Sequence, residues 1–219
     1  MTGLVLPYEL KTEAQILFEK TGGFRRGYLQ CRYGQTLEGN PLYPCGAGIF
    51  GTGANMVFHR DTLREIGGFD LALDTGRPLP GGGDLDIYYR MIRANQVFIY
   101  EPTFAVHHQH RLEMAQLRRQ YWSWGLGLMA YIMKSISQDP PMRLLFVRLI
   151  GWWFKYQLKR LKRSLLGKDI MPISFVLIEL WGGIQGALGS YGRSQRRIAK
   201  IQASTTEDVQ TYQTLQLES

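Results

Sequence analysis

The sequence predicts an α/β layer architecture over residues 1–112, a helical region over 113–200 and a polar tail over 201–219. Three observations carry this. Up to residue 112, short apolar runs alternate with stretches of helical periodicity, and glycine-rich turns separate them. From 113 onward long helical segments take over, interrupted at Asp139-Pro140-Pro141, Gly167-Lys168-Asp169 and Gly182-Gly183. Past Ile201 the chain turns to Thr, Gln and Ser, a composition that predicts disorder.

In chain order, residues 4–6, 55–59, 96–100 and 104–108 read as short strands. Helical periodicity fills 14–20, 61–66 and 84–94, with Asp61 placed to cap the second of these. The first strand starts almost at residue 1 with no βαβ unit before it, so the expectation is an incomplete α/β domain. The opening Met1-to-Pro7 segment has no basic stretch before its short apolar run and does not read as a signal peptide. Cys31 and Cys45 form neither a CxxC pair nor a disulfide framework, which predicts two reduced thiols in a cytosolic protein.

A hydrophobic fraction of 45% and a charged fraction of 20% are those of a chain that buries a core. The net charge of +8 is concentrated. Between Pro140 and Lys168 there is no acidic residue, while Arg143, Arg148, Lys155, Lys159, Arg160, Lys162, Arg163 and Lys168 all fall there. At roughly 100° per residue, Arg148, Lys155, Lys159 and Lys162 share a stripe, and Phe146, Ile150, Trp153, Phe154 and Leu161 lie opposite. That pattern predicts a helix in a bilayer interface, attached peripherally to an anionic membrane surface. The basic residues interrupt it too often for a span. Residues after Pro172 read as a second interfacial or re-entrant helix. The alternative for 143–166 is a helix packed on the domain with a solvated basic side. A basic module without catalysis, on a membrane surface or on nucleic acid, is the competing function class. No helix-turn-helix, zinc-finger or RNA-recognition signature accompanies the charge, so no nucleic-acid partner is expected.

The chemistry-bearing residues lie on glycine-rich turns. Gly51-Thr52-Gly53-Ala54-Asn55 allows a ligand close to the backbone, and Asn55 offers both a donor and an acceptor. Gly67-Gly68-Phe69-Asp70 follows a helix end. Gly81-Gly82-Gly83-Asp84-Leu85-Asp86 opens the helix over 84–94. Capping explains one carboxylate there; two after three glycines point equally to a base that must reach a hydroxyl. His108 and His110 share a strand face, as a hydrogen-bonded pair or, for His108, as a metal ligand.

Taken in order, GTGAN, the basic His59-Arg60, GGFD, GGGDLD, Arg90, Tyr100-Glu101-Pro102 and His107-His108-Gln109-His110-Arg111 resemble the second half of the catalytic domain of family 2 glycosyltransferases. The resemblance covers about residues 2–111. It implies a partial GT-A (Rossmann-like) domain and inverting transfer from a nucleotide-sugar donor to a glycan or lipid-linked acceptor. It makes Asp84 the general base, with Gly83 standing where the family has a glutamate. Gly53, Ala54 and Asn55 fall at donor-sugar or acceptor positions, and Asp86 either shapes the helix start or contacts the acceptor. His108 matches a histidine that in some relatives of the fold helps hold Mn²⁺ or Mg²⁺. That ion's Asp-x-Asp carboxylates have no counterpart before GTGAN, so most of its ligands, and the nucleotide site, are expected in a missing N-terminal half. The chain alone is then expected to be inactive, acting at the cytoplasmic face of a membrane. Gln120-Tyr121-Trp122-Ser123-Trp124 resembles the QxxRW motif of processive synthases, with Ser123 in place of the arginine, which puts Gln120 and Trp124 at the acceptor. Helix packing is the other reading of the two tryptophans.

Overall fold

Three strands form one mixed sheet in the order β1-β3-β2. The computed structural model describes residues 1–217 except 75 and 77, with side chains up to residue 205. β1 (Thr2–Pro7) runs parallel to β3 (Phe98–His108), and β2 (Cys31–Tyr33) pairs antiparallel with β3 from the other side. β3 merges the two strands expected at 96–100 and 104–108. The register steps from Gly3↔Glu101 to Leu4↔Ala105, leaving residues 102–104 as a bulge. Pro102 sits in that bulge, where its missing N–H costs no ladder bond. Gly3 is required opposite it, because a Cβ there would lie 1.9 Å from the Phe104 carbonyl. β2 carries no alternation long enough to be seen in sequence. The expected strand at 55–59 is instead an extended segment with one antiparallel bridge, Thr2↔Met56.

α1 (Glu13–Lys20) starts on a capping box between Thr12 and Gln15. α2 (Arg60–Glu65) begins one residue before the expected point, so His59 and not Asp61 takes the N-cap position. α3 (Gly83–Arg93) begins at the glycine triplet and buries Ile87, Tyr88, Tyr89, Met91 and Ile92. α4 (Met114–Gln138), α5 (Arg143–Leu165) and α6 (Ile173–Gln185) are the long helices expected beyond 113. The main core lies where α3, α4 and α5 meet, with Tyr88, Phe98, Tyr131 and Phe146 all fully buried. The chain is thus mixed α/β, mostly helical, around a small sheet.

Three expectations are corrected. Gly182-Gly183 does not interrupt the helix; it lets α6 press onto α4. A Cβ on Gly182 would lie 2.1 Å from the Trp122 carbonyl, one on Gly125 2.0 Å from that of Glu179, and one on Gly186 2.3 Å from that of Leu126. Backbone cannot yield as a side-chain tip can, so Gly125→Ala should cost about 1–3 kcal/mol or more. Urea unfolding of that variant against wild type measures it. Second, two residues of the expected bilayer face of α5, Phe146 and Trp153, are buried in the core with Leu149. The outward face carries Leu144, Val147, Trp152 and Leu158 among the exposed Arg148, Lys155, Lys159 and Lys162. Third, after a kink at Leu188 and Gly189 the chain continues as α7 (Tyr191–Leu217), across most of the expected disordered tail. Good helix formers (Ala199, Lys200, Gln202, Ala203) carry the pattern past 201. The last two residues of that tail lie outside the described residues.

Candidate active site

The two glycine-rich loops meet at one carboxylate. Asp84 stands in the first turn of α3, where its Oδ1 accepts the Leu85 N–H at 2.9 Å and its Oδ2 the Gly53 N–H at 3.2 Å. The GTGAN turn and the GGGD turn are thereby joined through Asp84 itself. Gly53 lies close against it: a Cβ there would be 3.3 Å from Cβ of Asp84, a contact that a small shift of the carboxylate would have to relieve. Burial pushes the Asp84 carboxyl above its ordinary range, against the lowering effect of those N–H groups and of the Arg26 charge. A base of raised pKa is better matched to a hydroxyl proton than an ordinary aspartate is.

Each glycine before Asp84 has a separate cause. Gly82 has φ +97 and packs so that a Cβ would lie 2.5 Å from the Gly127 carbonyl; Gly81 would meet the Ser123 carbonyl at 2.9 Å. The turn therefore rests directly on the backbone of α4. Gly83 leaves room for a residue that sequence reasoning missed. Asp74 Oδ2 accepts the Gly83 N–H at 2.7 Å, and a Cβ on Gly83 would lie 2.4 Å from that same oxygen. Asp74 thus brings a second carboxylate beside Asp84 from a loop 10 residues upstream, where no periodicity or motif marks it. Burial, then repulsion from Asp84, raises its pKa.

Two expected ligand-contacting residues belong to the scaffold instead. Asn55 is buried, and its Nδ2 donates to the carbonyls of Leu4 (3.0 Å) and Phe104 (2.9 Å), tying the bulge of β3 to β1. Asp86 is 1% exposed, with Oδ2 2.8 Å from Arg90 Nε and Oδ1 2.7 Å from Lys134 Nζ. The helical period explains this: two positions beyond Asp84 is about 200° around α3, on its core side. Gly53 and Ala54 stay exposed beside Asp84.

The histidines form a chain. Glu19 Oε1 lies 2.9 Å from His110 Nε2, and His110 Nδ1 lies 3.0 Å from His108 Nδ1. With a neutral His110 whose Nε2–H is accepted by the carboxylate, His110 Nδ1 accepts from His108 Nδ1–H, which leaves a lone pair on His108 Nε2. Burial, His110 and Arg111 lower the His108 pKa, favouring that neutral ring. His110 is fully enclosed. Among the described residues no three His, Cys, Asp or Glu side chains gather as a metal site. His108 offers a single ligand, which does not make a metal site by itself.

Trp122 donates to Gln185 Oε1 at 2.7 Å and is a helix-packing residue. Trp124 is 38% exposed and lines a cavity of about 650 Å³ with Tyr121 and Tyr156. Gln120 is half-buried one turn earlier and does not line it. The cavity does not include Asp84; α4 stands between them, with Ser123 and Gly127 against the glycine triplet and Trp124 on the cavity side.

No family model and no solved structure matches the chain. Among curated proteins it is 23% identical over 112 residues to the pre-mycofactocin glycosyltransferase of two Mycobacterium tuberculosis strains. The match takes in 51% of this chain and 23% of the relative. The chain is distantly similar to a glycosyltransferase. It spans about a quarter of the length of the curated relatives it matches.

Proposed function

We propose that the chain carries the acceptor side of an inverting glycosyltransferase site with Asp84 as general base. Asp84 takes the proton of an acceptor hydroxyl while that oxygen bonds to the anomeric carbon of a nucleotide-sugar donor and the nucleoside diphosphate leaves. The observation that carries this is the junction at Asp84: a carboxylate of raised pKa, held by Gly53 and Leu85 N–H groups and flanked by exposed Gly53 and Ala54. The partial similarity to a glycosyltransferase supports the same reading. The test is release of nucleoside diphosphate from a panel of nucleotide sugars with glycan and lipid-linked acceptors, with the anomeric configuration of product read by NMR. Retention of configuration would end the single-base mechanism.

The pH profile follows from the raised pKa. Only the ionised carboxylate accepts a proton, so the rate should fall as pH drops through the Asp84 value, which lies above the ordinary aspartate range. An acid limb at the ordinary aspartate value would assign the base elsewhere.

A membrane-borne acceptor is the reading that the outer faces of α5 and α6 support. Ile173, Leu177, Trp181 and Ile184 recur at helical spacing and are all exposed, beside the mixed basic and apolar face of α5. The stretch Ile173–Thr205 is long and apolar enough to cross a membrane by length and composition. Its backbone leaves helical geometry at Leu188 and Gly189, and Gly182 and Gly183 are packed inward. Peripheral attachment fits this better than a span. Leu177→Gln with Trp181→Gln should reduce flotation with anionic liposomes about tenfold, and salt should weaken wild-type binding. Unchanged flotation of that variant would leave α6 outside the contact.

A further inference from the structure

The cavity beside Trp124 has a chemistry of its own. It lies between the end of α1, the middle of α4, the last turns of α5 and the loop that leads into α6, and its volume of about 650 Å³ suits a small-molecule ligand. Lys20, Lys159, Arg160, Arg163 and Lys168 line it against only two acids, Asp169 and Glu179. Arg160 is fixed: Nη1 donates to Glu179 Oε2 at 2.7 Å and to Gln157 Oε1 at 3.1 Å, and the guanidinium lies 5.5 Å from the Tyr156 ring centre. Asp169 stands 3.7 Å from Arg163 Nε. Lys20, Lys159 and Lys168 make no ion pair among the described residues. Three unpaired ammonium groups on one cavity leave an excess of positive charge there that a bound anion would offset.

The rest of the wall says what the anion is attached to. Trp124, 38% exposed on the cavity wall, gives an aromatic surface that suits a sugar ring, with the buried Tyr121 packed behind it. At the mouth Ile170 is 61% exposed, and Leu165 and Leu166 nearby are 67% and 57% exposed. These apolar residues continue toward the exposed stripe of α6, which begins at Ile173. A free nucleotide has no use for such a rim; a lipid does.

We infer that this cavity holds the phosphate or diphosphate of a membrane-borne acceptor. The lysines and Arg163 meet the phosphate, Trp124 meets the adjoining sugar, and the lipid chain lies over Leu165, Leu166 and Ile170. The acceptor role rests on the reading of Asp84 as base of a sugar transfer, whereas headgroup binding is measurable without transfer. Through α4 the two are neighbours: Trp124 faces the cavity, and Ser123 and Gly127 support the turn before Asp84.

Co-sedimentation of the full chain tests it, with phosphatidylcholine vesicles carrying either phosphatidic acid, a phosphomonoester, or phosphatidylglycerol adjusted to equal surface charge. Wild type should favour phosphatidic acid about tenfold, and millimolar inorganic pyrophosphate should abolish that preference. Lys20→Gln with Lys168→Gln, both on the exposed rim, should remove the preference. Lys155→Gln, on the outer face of α5 away from the cavity, should weaken both vesicle types alike and keep it. Equal binding of wild type to both vesicles, or a preference surviving the double variant, would overturn the site. Tight binding of pyrophosphate with no vesicle preference would give the cavity to a soluble phosphate compound instead. Asp84→Asn should leave the preference intact. An intact preference in a chain that transfers no sugar from any donor would remove the acceptor role alone.

Discussion

Asp84→Asn should lower glycosyl transfer by about two to four orders of magnitude, the range expected when a general base is lost. Asparagine is nearly isosteric, but its single carbonyl oxygen accepts from only one of the Gly53 and Leu85 N–H groups and turns an NH2 donor toward the other. What disappears is the basic lone pair. The pH dependence of stability separates the charge effect from that lost hydrogen bond. A carboxyl whose folded pKa is raised favours the folded state most below its unfolded pKa, and that advantage is lost as pH rises through the folded value. Above its folded pKa the ionised Asp84 is therefore a burden on the fold, and it also repels Asp74. The melting point of Asp84→Asn relative to wild type should therefore rise as pH rises through the folded Asp84 value, whatever the lost hydrogen bond costs in acid. Steady-state rates and melting curves on the same samples check both halves. A variant that keeps most of its rate would remove Asp84 from the chemistry; one that loses rate only because it unfolds would make Asp84 a structural residue.

Much of this site is legible in the sequence, because it depends on local rules. Three glycines before an aspartate at a helix start mark Asp84, and the structure gives each glycine a neighbour that a Cβ would strike. Asp86 shows where such reading stops. The motif places it beside Asp84, but the helical period turns it about 200° away into a buried ion pair. Asp74 and Lys134 leave no local trace at all, since their roles depend on partners 9 and 48 residues away. The same holds for the basic cavity. Its cations come from α1, α5 and the following loop, and the sequence shows only that α5 is basic, not that Lys20 joins it. The outward face of α5 is hidden from the sequence for a related reason. The helix is apolar on more than one side, and periodicity does not tell which side, Trp153 or Trp152, meets the core.

Lys134→Met should destabilise the fold by about 3–5 kcal/mol, the cost of removing one partner from a buried ion pair. Lys134 is almost wholly enclosed and stands 2.7 Å from Asp86 Oδ1 and 2.8 Å from Asp70 Oδ2. Methionine fills the same volume but leaves the Asp86 carboxylate with Arg90 alone, which is already engaged with the carbonyls of Ile66 and Gly68. Asp70 loses its cation and keeps only Tyr191 and the Ala72 N–H. The loss is large against the roughly 5–15 kcal/mol that holds a typical domain together. Asp70 gives the result a pH signature. Burial alone would raise its pKa, but the Lys134, Tyr191 and Ala72 bonds outweigh that and leave it lowered. A lowered carboxyl contributes stability above its unfolded pKa, and that contribution is lost as pH falls through the folded value. The gap between wild type and Lys134→Met should therefore be widest near neutral pH and narrow in acid. Adding Asp86→Asn to Lys134→Met should restore part of the loss, because the orphaned charge is gone. Urea unfolding of the two single variants and the double variant across pH measures this cycle. Independent, additive losses at the two positions would mean that Asp86 is not held by Lys134, and would leave its carboxylate free to meet a ligand.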